Sequence, residues 1–323
     1  MAILAWSYAQ LGAVGEGTAG GRLFDVLAPS VSTSAPGLAP FFLASALWAF
    51  ERAGRLNSKL LEQASMAVQR APASQFSSHD VAQIAWVYAR AWKREAETRE
   101  RQGAPPATPT VFPVLGGLVR ECPSDFPPST VAKLAWAFAT VGDSSPDVFE
   151  ALAVRTLGQL RNFNSLELST LAWSFASAGR PAPLLFTELA ARALNHGVDG
   201  FTTQGLAMTL YAFAKARHRS SPLFSAIAPV MQARLTEATP QAITMTLWAF
   251  TAAREPAPLL VDTALREATA RMDQFRPREI STVSWAIGQQ RRRGEAVKAF
   301  FDRLAELLIC LLYTSPSPRD GLL

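Results

Sequence analysis

Apolar positions in this chain fall into short blocks with a helical period rather than a strand-like alternation. In the block Leu166 to Ala178, Leu168 and Phe175 stand on one face, and the block stops at Gly179, a residue suited to the left-handed position that closes a helix. A second block opens near Pro183, where a missing N–H costs nothing in the first turn, and continues through Leu189, Ala193 and Leu194 at helical spacing. Together they predict two antiparallel helices joined by a short loop.

The two blocks return along the whole chain. Aligned on one aromatic residue they give Trp6, Trp48, Trp86, Trp136, Trp173, Tyr211, Trp248 and Trp285, at successive spacings of 42, 38, 50, 37, 38, 37 and 37 residues. A period of 37 to 38 is that of a helical-hairpin array. Ten residues before the aromatic stands a second marker, Phe76, Phe126, Phe163, Phe201 or Phe275, with Leu38 and Ala238 in the same slot. About ten residues after it comes a proline followed by bulky apolar residues, as at Pro146, Pro183, Pro222 and Pro258. One hairpin cannot bury both of its apolar faces, so neighbours must stack. The expected fold class is all-α, an α-solenoid of about eight helix-turn-helix repeats over residues 1–309. Breaks in the period mark insertions near 12–40 and 93–110. The charged half of the second, from Lys93, is expected to extend its helix with solvated Arg/Glu pairs, and the remainder to be loop. Trp6 lies so close to Met1 that the first unit reads as truncated, in which case a targeting peptide would not be visible. The stretch CLLYTSPSPRD from Cys310 resembles translated sequencing-adapter sequence, so 310–323 is read as an artefactual tail.

Taking the aromatic as position zero, residues at −5 and +2 share a face and are apolar: Val81 with Tyr88, Val131 with Phe138, Leu168 with Phe175, Ile243 with Phe250, Ile280 with Ile287. Positions −4, +1 and +3 are almost all Ala, Ser, Thr or Gly, which lets neighbouring helices approach closely. Positions −7, −3 and +4 share a narrow arc and are mostly polar but varied. They comprise Ser45 and Arg52; Gln83 and Arg90; Lys133 and Thr140; Thr170 and Ser177; Gln204 and Lys215; Gln241; and Arg278, Thr282 and Gln289. A varied polar stripe on a repeated frame suits a modular reader of a linear partner, and suits an ordinary solvated helix face as well. Further cations, Arg217, Arg254 and the run Arg291–Arg293, fall at or just beyond helix ends, where they fit phosphate contacts or simply the negative end of the helix dipole. Trp48, Trp86, Trp136, Trp173, Tyr211, Trp248 and Trp285 are read as structural anchors between repeats rather than as stacking platforms. The reason is size: a Trp hides about 150–250 Å², and Trp→Ala in a core costs about 3–5 kcal/mol.

Composition narrows the chemistry. With 31 Lys and Arg against 26 Asp and Glu the net charge is +5, which permits a polyanionic partner without demanding one. Two cysteines in no metal-ligand spacing, and His79, His196 and His218 in different repeat positions, argue for no metal site. Asp80, Glu167 and Glu279 share position −6 and fit the start of a helix better than paired acid/base catalysis. Phosphate-loop, dinucleotide, zinc-protease and serine-hydrolase motifs are absent from the sequence, so no cofactor and no enzyme activity are expected. No run of apolar residues is long enough to span a bilayer.

The stretches LSTLAWSFASAG (Leu168–Gly179) and PLLFTELAARAL (Pro183–Leu194), recurring in most units, resemble the octotricopeptide repeats and the related heptatricopeptide and FAST-kinase-like repeats. The resemblance covers residues 1 to about 309. It implies an α-solenoid that binds single-stranded RNA in mitochondria or plastids and acts in transcript processing, stability, ribosomal RNA maturation or translation. Members often end in a RAP domain with a nuclease-like fold, and none is readable here. Two alternatives stay open beside RNA binding: a protein-binding scaffold, and the repeat portion of a RAP-domain enzyme.

Overall fold

The structure is a computed structural model, and it describes residues 2–12, 18–99, 107–121 and 126–314. Cys122, parts of both insertions and residues 315–323 of the proposed tail lie outside the described residues. Sixteen α-helices and no strand occur among the described residues. In chain order they alternate as first and second helices of eight repeats: α1 (Ala2–Gln10) with α2 (Ala19–Ser34), α3 (Pro40–Arg52) with α4 (Ser58–Arg70), α5 (Ser78–Arg99) with α6 (Phe112–Glu121), and α7 (Pro128–Thr140) with α8 (Pro146–Gln159). Then follow α9 (Ser165–Ser177) with α10 (Pro183–His196), α11 (Thr203–Lys215) with α12 (Ser221–Ala233), α13 (Pro240–Ala253) with α14 (Pro258–Ala270), and α15 (Pro277–Gln289) with α16 (Glu295–Thr314).

Local chemistry explains the boundaries. Many helices start on the proline itself, whose fixed φ suits the first turn. Others are capped by a side chain: Asn57 accepts from the Leu60 N–H, Asn164 from Glu167, Thr202 from Gly205 and Thr239 from Ala242. Glu167 and Glu279 return the bond to the N–H of Asn164 and Arg276, and Asp80 accepts from both the N–H and the hydroxyl of Ser77. The position −6 carboxylates therefore cap helices. At the other end, the first helices close through a residue in the left-handed region, with the next N–H reaching back to the carbonyl of the +2 residue: Arg55 to Phe50, Asp143 to Phe138, Arg180 to Phe175, His218 to Phe213, Glu255 to Phe250. The left-handed residue is Gly54, Gly142 or Gly179 in some repeats, and Arg217, Arg254 or Arg291 in others. For a residue with a side chain this backbone costs roughly 1–2 kcal/mol.

Two compact units, Met1–Leu185 and Phe186–Leu323, divide the chain. Within the first, the first helices α1, α3, α5, α7 and α9 pack in sequence on one another, and the second helices pack as α2 on α4 and α6 on α8. Within the second, α11 packs on α13 and α13 on α15, while α12, α14 and α16 form the other row. This is the contact order of an α-solenoid, as the period predicts. The first-helix contacts use the small positions: Ala137, Ser169 and Ser174 are fully buried, and both serine hydroxyls are satisfied by carbonyls of their own helix.

The −5/+2 stripe is core, with Phe50, Phe138, Phe175, Phe213 and Phe250 almost completely enclosed. Each of these rings meets, edge to face at 5.0–5.1 Å, a phenylalanine of the preceding second helix: Phe24, Phe112, Phe149, Phe186 and Phe224 respectively. Such a pair adds about 0.5–1.5 kcal/mol beyond the burial of its area. Phe76, Phe163, Phe201 and Phe275 each follow a 3-10 turn, and they and Phe126 are buried.

The chain is helical at both breaks in the period and at the start of the expected tail. The 12–40 insertion contains α2, a full second helix capped by Thr18, because Phe24 and Val31 give it an apolar face to bury. The 93–110 insertion extends α5 to Arg99 as expected, with Arg99 paired to Glu95 at 2.6 Å. The boundary expected at 310 falls inside α16, which continues to Thr314.

Candidate nucleic-acid interface

The repeated aromatics are not enclosed. Trp48, Trp86, Trp136, Trp173, Tyr211 and Trp248 are half-buried, and Trp285 keeps 42% of its surface exposed. This partial cover suits an anchor between repeats and also leaves part of each ring accessible. Neighbouring rings approach each other at two places, Tyr211 to Trp248 at 4.8 Å and Trp6 to Trp48 at 6.4 Å. The physical reason for the partial cover is angular. At 100° per residue, position zero lies only about 20–60° from −7, +4 and −3, so the aromatic and the polar stripe share a face.

Position +4 completes that face with charge. The Arg52 guanidinium sits 5.4 Å from the Trp48 ring, Arg90 4.9 Å from Trp86, and the Lys215 ammonium 5.6 Å from Tyr211, all three cations exposed. A cation over an indole face contributes about 0.5–1 kcal/mol at an exposed site. Each composite places a flat π surface beside a positive charge, in the three repeats of α3, α5 and α11.

Several of these cations also serve the frame. Arg52 Nε donates to the Ala9 carbonyl at 2.9 Å, and Arg90 Nε donates to Glu51 at 2.8 Å. Glu51 is buried on α3, and Arg94 of α5 ion-pairs with its other oxygen, so one carboxylate holds two guanidinium groups of the next repeat. Other arginines are wholly structural. Arg234 donates to the carbonyls of Phe201 and Asp199, Arg271 to those of Ala238 and Leu235, and Arg155 to that of Val119 while lying over the Phe126 ring. These hooks from the end of a second helix to the preceding repeat's turn carry no sequence signature apart from a lone arginine.

The remaining stripe residues divide by burial. Gln241, Arg278 and Gln289 are exposed; Ser45, Lys133, Thr140, Thr170, Ser177, Gln204 and Thr282 are half-buried. Gln83 is buried, against expectation. Position −3 lies about 40° from +1, which faces the neighbouring first helix, so the coverage reaches it. Thr170 and Thr282 donate their hydroxyls to the carbonyls of Leu166 and Arg278, leaving only an acceptor outward. Gln204 accepts from the Thr239 hydroxyl at 3.3 Å, and the Thr140 oxygen is enclosed with no hydrogen-bond partner among the described residues. Burial pushes the Lys133 ammonium below the usual lysine range.

Near the helix ends, an open cleft runs between the end of α13 and α15. Thr251 and Arg254 line one side, and Trp285, Gln289 and Gln290 the other. Gln290 donates to the Thr251 hydroxyl across it at 2.6 Å. No group of His, Cys, Asp and Glu able to hold a metal occurs among the described residues, and no described helix is long and apolar enough to cross a membrane. No family model and no curated protein matches the chain.

Proposed function

We propose that this chain binds single-stranded RNA, stacking bases on the half-buried aromatics of its first helices and meeting phosphates with the cations beside them. The observation that supports this reading most is the recurrence, on α3, α5 and α11, of an aromatic ring with a cation four residues on, both on one open face. Base–aromatic stacking is worth about 1–3 kcal/mol per base and is indifferent to base identity, so the varied polar neighbours are left to discriminate. Thr170, Ser177, Gln204, Gln241, Thr282 and Gln289, with Ser45, Lys133 and Thr140, offer donors and acceptors of the right kind for base edges. An organellar transcript or ribosomal RNA as target rests on the repeat resemblance.

The test is binding of the purified chain to a random-sequence single-stranded RNA pool across a salt series. The affinity is expected to fall by about 0.7 log unit per log unit of salt for each phosphate contacted. A flat response, or no binding, would overturn the proposal and favour a protein partner on the same face.

A further inference from the structure

In the repeats of Phe186–Leu323 the residue that closes the first helix in the left-handed region is an arginine, at Arg217 (φ 54°), Arg254 (φ 57°) and Arg291 (φ 48°). In Met1–Leu185 the same position is taken by Gly12, Gly54, Gly142 and Gly179. Glycine is what the backbone asks for there, since it enters this region without steric cost. Stabilisation of a helix C-terminus by charge does not require the exception, because a cation one turn earlier in ordinary helical conformation serves the dipole equally. The three guanidinium groups are exposed, and none has a hydrogen bond or ion pair among the described residues. Arg292, by contrast, is held by Asp262 at 2.5 Å and by the Pro258 carbonyl.

Their surroundings point outward to a ligand. Arg254 shares its cleft with Trp285, the most exposed of the aligned aromatics, and with Gln289, the exposed stripe residue one turn further on. A second, smaller cleft joins Arg254 to Arg217, with His218 and Glu255 on its walls. Glu255 accepts from the Ser221 hydroxyl at 2.6 Å and so is engaged within the protein. One cation at a fixed place in each of three successive repeats, beside an open ring at Arg254, matches a polymer with one negative charge per unit and one base per unit.

We propose that Arg217, Arg254 and Arg291 are phosphate contacts for consecutive stretches of a single RNA strand, and that Arg254, Trp285 and Gln289 together form a nucleotide subsite. Arg254 takes the phosphate, the Trp285 face takes the base, and the Gln289 amide reads its edge. The proposal rests on the RNA reading above and adds that the phosphate grip is concentrated in the second unit, where the left-handed cations stand.

The experiment restores glycine. The full chain carrying R217G, R254G and R291G removes three charges while relieving the backbone, so its thermal midpoint is expected to be equal to or above that of the parent. Its affinity for the random single-stranded RNA pool is expected to fall, with the salt slope reduced by about two. R254N, which keeps a side chain that tolerates the left-handed region, is expected to reduce the slope by about 0.7 alone. W285A is expected to weaken binding with the slope unchanged. Loss of Arg266, exposed on α14, is expected to leave the slope as it was. Unchanged affinity and slope in the triple glycine variant, or an equal effect from R266Q, would overturn the proposal while leaving RNA binding standing. No RNA binding by the parent chain would overturn both.

Discussion

Trp173 and Phe175 stand two residues apart on α9 and do different work. Phe175 is enclosed and paired edge to face with Phe149, so Phe175→Ala should cost about 3–5 kcal/mol in denaturant unfolding. Trp173 is half-buried, and Trp173→Ala should cost about half of that, roughly 2 kcal/mol, while weakening RNA binding by about 1–3 kcal/mol. Equal losses of stability from the two would show the tryptophan to be a core residue after all. Tyr88 replaces phenylalanine at the same +2 place and donates its hydroxyl to the Leu61 carbonyl. Burial raises its phenol above the ordinary 10.0, so the folded state keeps a proton that the unfolded chain loses. The contribution is complete below pH 10.0 and is lost as pH rises above it. Lys133 acts in the opposite sense: its lowered value makes stability rise with pH up to the ordinary 10.5. Urea titrations from pH 9 to 11 should therefore show Tyr88→Phe losing less stability than the parent at the alkaline end, a difference that Lys133 cannot produce because both proteins carry it.

Among elements, α3 and α5 are joined by Glu51 in addition to their small-residue contact. Glu51→Gln should cost about 1.5–3 kcal/mol, the worth of hydrogen bonds to charged groups. The same change releases Arg90 and Arg94 from their carboxylate, so the salt dependence of RNA binding should steepen. A destabilised variant with an unchanged slope would mean that these two arginines serve the frame alone. The helices themselves were legible because their signals are local. Proline openings, asparagine and threonine caps and the 3.6 period each act within a turn or two, and α9 and α10 occur where those signals put them. What was not legible lies between elements. Nothing near Phe149 in sequence announces Phe175 as its partner, and a single arginine such as Arg234 gives no sign that it will tie down the turn carbonyls of an earlier repeat. That the tryptophans share a face with the polar stripe was available in the helical angle. The arginines at 217, 254 and 291 were visible as cations at helix ends, but their left-handed backbone was hidden because the glycine that marks it elsewhere is missing.

At the scale of the whole molecule, a net charge of +5 says little until the cations are sorted. Arg155, Arg234 and Arg271 are consumed by backbone carbonyls and Arg94 and Arg292 by carboxylates, while Arg90 divides its guanidinium between Glu51 and the open face beside Trp86. Arg217, Arg254 and Arg291 stay available, so the charge that a polyanion would meet is unevenly spread along the chain. The phenylalanine pairs have a consequence of another kind. Each joins a second helix to the first helix of the next hairpin, so the packing module is half a repeat out of step with the copied module. The division between the compact units, at Leu185 and Phe186, falls between a first helix and the body of the second helix that follows it. Fragments separated in the loop between Ala178 and Pro183 should therefore refold with more cooperative melting than fragments separated between Asn162 and Ser165, which would divide the Phe149–Phe175 pair. A duplicated hairpin spliced into such an array would bring two unfinished half-cores, and its neighbours would already hold the matching halves.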